Sequence, residues 1–267
     1  MIRLAVAGAA GRMGRTILRL ASDDPSFEIV GGLEHPENSC LGCDIGDLIG
    51  REPLAAKVSR DADAVLEKAD VLIDFTHPQA TPAHLKAVLK AKTAYVLGTT
   101  GLNATILQSL KNAAKKIPIV QSPNMSIGVN LLFKLAELTA QVLDESYDIE
   151  IAEIHHRMKK DAPSGTALKL LEILAQARGK DMQKDAVYGR KGETGLRPRG
   201  KIGVFALRGG DVVGDHTISF LGDGERIELI HRASSREAFA QGALAAAKFV
   251  AKRKAGLYHM RQVLGIA

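Results

Sequence analysis

In the first half of the chain, short runs of β-branched and aliphatic residues alternate with helical patterns, and this alternation limits the possible folds most. Residues 2–7, 27–33, 71–75, 94–97 and 117–121 read as strands; residues 13–21, 61–68, 82–92 and 105–115 read as helices. Apolar runs of this length have no polar face to show to water, so both faces must be covered. Strands of that kind separated by helices predict a doubly wound, mainly parallel sheet of Rossmann type.

After Asn130 the pattern changes. A helix is expected over 131–143, a half-buried strand over 148–155 and a helix over 165–177. A glycine-rich basic stretch, 189–200, is too long for a turn and reads as a functional loop. Runs at 201–207, 212–221 and 226–231, separated by glycine turns, predict an antiparallel meander. Ser235 is expected to cap a final helix over 238–252. The expected architecture is a Rossmann-type domain (1–126 with 236–267) and an α+β domain (127–235) whose open sheet is mixed or antiparallel.

Composition narrows the function. The 267 residues are 46% hydrophobic and 25% charged, as in ordinary globular proteins, and can build two cores. Only 4% are aromatic and Trp is absent, which argues against the stacking platforms of single-stranded nucleic-acid binding. The net charge of +6 suggests an anionic ligand, but the cations are scattered rather than gathered into a nucleic-acid footprint. No apolar run approaches the roughly 18 residues of a membrane span, and no signal peptide is evident, so a cytoplasmic protein is expected. Cys40 and Cys43 have no second pair or H-x-H nearby; they read as reduced loop residues, and no metal site is expected.

Gly8-Ala9-Ala10-Gly11-Arg12-Met13-Gly14 joins the first strand to the first helix. Glycines there let a pyrophosphate approach the backbone at a helix N-terminus. The spacing G-x-x-G-x-x-G departs from G-x-G-x-x-G, with Ala10 where the middle glycine is expected. A tight βα turn would account for the glycines alone. However, Glu34 lies twenty residues past Gly14 at the end of the second strand, where a carboxylate accepts from ribose hydroxyls. Together they point to a dinucleotide. Three polar segments, 74–77, 98–101 and 122–126, end strands on the same side, where open parallel sheets bind ligands.

The most specific segment runs from His155 to Ala167, H-H-R-M-K-K-D-A-P-S-G-T-A. Two histidines at a strand end, two lysines and a helix start gather proton donors and positive charge in thirteen residues. Ser164, Gly165 and Thr166 at the helix N-terminus offer a seat for a carboxylate. A lysine and a histidine beside it could protonate a carbanion or nitrogen after hydride addition. Strand alternation sets His155 and His156 on opposite faces, so their roles should differ. Singly, each residue would read as a capped strand end or a solvated loop.

With Glu153 and Ile154 before it, this run resembles the signature of the dihydrodipicolinate reductase family. The likeness extends to the glycine loop, to Gly98-Thr99-Thr100-Gly101, to Asn124–Asn130, to Gly209–His216 and to Arg232–Arg236. The resemblance implies NAD(P)H-dependent reduction of 4-hydroxy-tetrahydrodipicolinate to tetrahydrodipicolinate, in lysine and diaminopimelate biosynthesis. It implies that His155 is a proton donor and acceptor and Lys159 a general acid, with His156, Gly165 and Thr166 holding substrate. Gly8, Ala9, Ala10, Gly11, Arg12, Met13, Glu34, Gly98, Thr99, Thr100, Ser122, Pro123, Asn124 and Met125 would line the cofactor. It also implies a homotetramer built on the second sheet, with the last helix returning to the nucleotide domain. His35 stands where relatives carry an arginine able to meet the 2′-phosphate of NADPH, which, with Glu34, favours NADH. Two other readings remain open: a dehydrogenase of a different amino-acid intermediate, and a non-catalytic dinucleotide sensor, which would need neither His155 nor Lys159.

Overall fold

The computed structural model describes residues 1–266, which form two compact units: residues 1–127 with 236–266, and residues 128–235. In the first, β1 (Ile2–Ala7), α1 (Arg12–Ser22), β2 (Phe27–Leu33), α2 (Ile45–Ile49), β3 (Val58–Ser59), α3 (Ala62–Leu66) and β4 (Val71–Asp74) follow in order. They are continued by α4 (Thr81–Ala91), β5 (Ala94–Leu97), α5 (Ala104–Ala113) and β6 (Pro118–Gln121). Then α6 (Ile127–Val142) leads into the second unit, with β7 (Asp148–His155), α7 (Gly165–Ala177), α8 (Met182–Asp185) and β8 (Ala186–Tyr188). Strands β9 (Ile202–Arg208), β10 (Gly214–Leu221) and β11 (Arg226–Ala233) complete that unit. The chain ends with α9 (Glu237–Val250), β12 (Gly256–Tyr258) and α10 (Met260–Leu264) in the first.

The first unit is the expected doubly wound sheet: seven parallel strands in the order β12-β6-β5-β4-β1-β2-β3. Strands β4 and β5 are buried along their whole length, and separate apolar clusters cover the two faces. Register aligns Ala7 with Asp74, Asp74 with Leu97 and Leu97 with Gln121. The loops after β1, β4, β5 and β6 therefore emerge along one edge, with the change of winding direction between β1 and β4.

The second unit differs from the meander. Its five-stranded sheet runs β11-β10-β7-β9-β8, with β10 antiparallel to β7 and β11 but β9 parallel to both β7 and β8. The three late runs are not sequential neighbours because β7 lies between β9 and β10. Alternation correctly marked each run as a strand but carries no information about its partner. Along β7, Ile149, Ile151, Glu153 and His155 face inward, and the two isoleucines pack with α6 and α7 residues such as Phe133 and Leu170.

Smaller expectations are refined. Helix α9 begins at Glu237, with helical Arg236 at its cap position, directly after Ser235. That helix is not the last element, because β12 and α10 follow and β12 adds a parallel strand beside β6. In the 189–200 stretch, Arg190 pairs with Glu150, and Arg197 with Asp148 and Glu150, on outward-facing positions of β7. Among the described residues, no helix is long and apolar enough to cross a membrane.

Candidate active site

The glycine loop owes its shape to contacts a side chain would break. Gly8 has φ of +75°, and a Cβ there would lie 2.9 Å from the Phe75 carbonyl oxygen. At Gly14 a Cβ would lie 2.0 Å from the Gly8 carbonyl oxygen, so helix α1 can start this close to β1 only without one. Asp61, Asn103 and Ser164 cap α3, α5 and α7 with side-chain oxygens, whereas Gly11 at the head of α1 supplies none. That leaves an uncapped, positively polarised helix end, the condition for an oxyanion. Ala10, in place of the middle glycine, donates its N–H to Glu34 Oε1 at 2.7 Å. Glu34 thereby ties the loop to the end of β2, and among the described residues Oε2 accepts only from the His35 amide at 3.2 Å.

An open groove of about 880 Å³ runs along this edge, lined by Gly8, Gly11, Arg12, Met13, Glu34 and His35 among others. Its size, glycine-shaped floor and single carboxylate beside an uncapped helix fit the diphosphate and adenosine ribose of a dinucleotide. Arg60 and Arg236, which sequence reasoning missed, also line it. Arg60 comes close because the Glu34 amide donates to the Ser59 carbonyl, extending the β2–β3 ladder beside Glu34. Strand β3 has two residues, too few to show a period, so nothing local marked Arg60.

The remaining expected cofactor residues lie outside this lining. Ala9 is fully buried beneath the loop. Gly98 lies under the Phe75 ring, where a Cβ would be 2.4 Å from the ring edge. Thr99 is buried and accepts from the Thr76 amide, while Thr100 and Pro123 are exposed. Ser122 donates to the Asn124 carbonyl at 2.7 Å, Asn124 accepts from the Ser126 amide, and Met125 packs into the core. The β5 and β6 loops are thus ordered by their own polar contacts.

Beneath them lies a buried carboxylate, Asp74, at the tip of β4. One oxygen accepts from the Thr76 amide and hydroxyl (3.0 and 2.6 Å), the other from Tyr95 (2.6 Å) and His84 Nδ1 (2.7 Å). Burial pushes its pKa up, but His84, Thr76 and Tyr95 outweigh that, and the carboxyl is held below its usual range.

The second unit carries the histidine–lysine run. His155 ends β7 and faces inward, whereas His156 already lies beyond the strand, half-buried, its amide donating to the Val212 carbonyl at 2.8 Å. Glu153, two residues earlier on the same face, is fully buried. It meets His155 Nδ1 at 2.5 Å, accepts from the Ser164 amide at 2.9 Å, and receives both terminal nitrogens of Arg208 at 2.8 and 2.9 Å. Arg208 also donates to the Asp161 carbonyl at 2.7 Å. Burial raises the Glu153 pKa, but Arg208, His155 and the Ser164 amide bring it below the usual carboxylate value. For His155, burial pushes the pKa down, Glu153 pulls it up, and Lys159 and Arg208 push it down again; the net direction is down. His155 is therefore neutral at pH 7, with Nδ1–H donated to the ionised Glu153 and Nε2 able to take a proton.

Lys159 Nζ is held between both Asp161 oxygens at 2.9 Å. Helix α7 begins at Gly165, which is exposed, with half-buried Thr166 beside it. The structure therefore brings His155, Lys159, Gly165 and Thr166 into one unit around the Glu153–Arg208 pair. Glu153 was passed over because a glutamate in an alternating strand reads as solvent-facing; its place two residues before His155 on an inward face was the available signal. Among the described residues, no group of three or more His, Cys, Asp or Glu could hold a metal.

Comparison with known proteins finds matches in both halves of the chain. Residues 2–125 match the profile "Dihydrodipicolinate reductase, N-terminus", and residues 128–264 match "Dihydrodipicolinate reductase, C-terminus". The 4-hydroxy-tetrahydrodipicolinate reductase of Nitrosomonas europaea is 49% identical over 265 residues, covering 99% of this chain and 98% of the relative. That of Aquifex aeolicus is 51% identical over 269 residues, covering 99% of each. The structure of a dipicolinate-bound dihydrodipicolinate reductase from Paenisporosarcina sp. TG-14 superposes with a TM-score of 0.77 at 28% identity over 97% of both chains. Matched in both halves and along its whole length, the chain belongs to the dihydrodipicolinate reductase family.

Proposed function

We propose that this chain reduces 4-hydroxy-tetrahydrodipicolinate to tetrahydrodipicolinate with NAD(P)H, in the cytoplasm, as a step of lysine and diaminopimelate biosynthesis. The observation that carries this is the inward-facing Glu153–His155 pair in one unit with Lys159 and the start of α7. A sensor of dinucleotides would need the groove but not this cluster. The net reaction takes one hydride and one proton and releases water. Bound NAD(P)H supplies the hydride; the chain's own groups bind, orient and move the proton.

The first unit binds the dinucleotide. The α1 N-terminus, with Arg12, receives the diphosphate, and Glu34 Oε2 accepts from a ribose hydroxyl. In the second unit, the N-terminus of α7 at Gly165 and Thr166 receives a substrate carboxylate, with His156 beside it. Lys159 is the general acid, its ammonium kept in place by Asp161. His155 Nε2 takes up or returns a proton at the ring, because the neutral imidazole has Nδ1 engaged and Nε2 open. The assembly is a homotetramer formed on the second sheet, supported by exposed Leu207, Ile227 and Ile230 on β9 and β11. Light scattering giving a stable monomer at micromolar concentration would remove that element alone.

The test of the activity is oxidation of NADH and of NADPH by the purified protein on adding the cyclic substrate. Cofactor binding without substrate-dependent oxidation would favour the sensor. Turnover of another amino-acid intermediate, but not this one, would favour a different dehydrogenase.

A further inference from the structure

We infer that Glu153 is a positioning residue for the reduction: it holds His155 in one tautomer, aimed by Nε2, and fixes the segments that carry Lys159 and the start of α7. The inference rests on the reaction proposed above. Strand alternation places Glu153 and His155 on one face of β7, and the pair is closed from three other directions. On β9, Arg208 forks onto both Glu153 oxygens and reaches the Asp161 carbonyl, in the loop that carries Lys159. At the head of α7, the Ser164 amide donates to Glu153 Oε1. On β10, His216 stands opposite Glu153 in register; its Nε2 lies 3.2 Å from Ser164 Oγ, and its ring packs edge-on to His155 at 5.2 Å between centroids.

One buried carboxylate therefore touches or reaches every segment assigned a chemical role in this unit. An ionised Glu153 has only acceptors, so the Nδ1 it meets at 2.5 Å must carry the hydrogen. Nε2 is then left bare as the base. Its surroundings agree: a Cβ on Gly214 would lie 3.0 Å from Nε2, so this position keeps the nitrogen's side open. Without Glu153 the imidazole can exchange tautomers and rotate, and the Lys159 loop loses its tie through Arg208. Loss of that orientation should lower turnover and leave dinucleotide binding, which belongs to the other unit, unchanged.

Histidine-selective ¹⁵N NMR of the intact enzyme, assigned against His155→Ala, reads the tautomer directly. A protonated Nδ1 and a bare Nε2 at pH 8 are expected; a protonated Nε2 would overturn the inference without any change at Glu153. In kinetics, Glu153→Gln should lower kcat about 10²-fold, within the range for general acid–base chemistry, with NADH affinity unchanged. In a His155→Ala background the same substitution should cost clearly less than in the parent, because the part of its effect that runs through His155 is already lost. An equal loss in both backgrounds would make Glu153 a scaffold residue and overturn the inference. If the unmodified enzyme shows no turnover, the proposed reaction fails instead, while the tautomer measurement still decides the role of Glu153. The tautomer likewise decides if Glu153→Gln does not fold.

Discussion

Replacing Asp74 by Asn tests whether the buried carboxylate under the β4 and β5 loops is needed as a charge. Asparagine keeps the shape but has one acceptor oxygen where aspartate has two. Asp74 now receives the Thr76 amide and hydroxyl on one oxygen and Tyr95 and His84 on the other. Whichever oxygen becomes NH₂, at least two donors lose their acceptor, because Oδ1 also receives the Thr99 hydroxyl at 3.3 Å. Tyr95 can turn its hydroxyl and the Thr76 amide keeps the Thr99 hydroxyl at 3.0 Å, so part of the loss is recovered. Each buried donor left without an acceptor costs about 1–3 kcal/mol, so a loss of about 3 kcal/mol suits an isosteric change that leaves some donors able to adapt. For a unit of this size about 3 kcal/mol corresponds to a fall of roughly 6–12 °C in melting temperature. Scanning calorimetry of the full chain should show that loss, and NADH titration should show weaker binding because Thr76 lines the groove. The sign with pH follows from the lowered carboxyl. Its stabilisation is present above the unfolded value of about 3.9 and is lost as pH falls through the folded one, so variant and parent should converge in acid. A melting temperature within about 2 °C of the parent at neutral pH would refute the reasoning.

Further outcomes are expected. Lys159→Ala should lower kcat by about 10²–10⁴-fold with NADH affinity intact; near-normal kcat with a raised KM in steady-state kinetics would leave Lys159 as a binding residue. Gly214→Ala, whose Cβ would crowd His155 Nε2 at 3.0 Å, should lower kcat and spare NADH binding measured by fluorescence. Burial, then the neighbouring His155, pushes the His216 pKa down to about 3. Between pH 6.5 and 5 the unfolded chain therefore takes up a proton the folded one refuses, removing up to about 2 kcal/mol. His216→Gln should lessen the drop in urea midpoint between pH 8 and 5. NADH should serve at least as well as NADPH, since Glu34 faces the ribose and His35 is no arginine. Arg60→Ala should weaken NADPH more than NADH in a direct kcat/KM comparison, and an NADPH preference above about tenfold in the parent enzyme would mean that cations outweigh Glu34.

The features legible in the sequence were those whose physics is local. Strands β1, β2, β5 and β7 lie where their apolar runs ended, because a strand buried on one or both faces writes its own period. The glycine loop was readable because a strand-to-helix turn this tight excludes a Cβ at Gly8 and Gly14. The run from His155 to Ala167 was readable because its chemistry is crowded into thirteen residues. Pairing was not readable. Strand β9 settles beside β7 rather than β10, and β12, at three residues, is too short to show any pattern before it adds to β6. The charged groups that complete the sites were hidden for the same reason. Arg60 reaches the groove only because β3 pairs with β2, and Arg208 reaches Glu153 only because β9 lies parallel to β7, 55 residues away in sequence. A carboxylate in an alternating strand looks solvated until the partner that neutralises it arrives from elsewhere in the chain. Burying Glu153 without Arg208 would be prohibitively costly, so its place beside His155 was decided by tertiary structure.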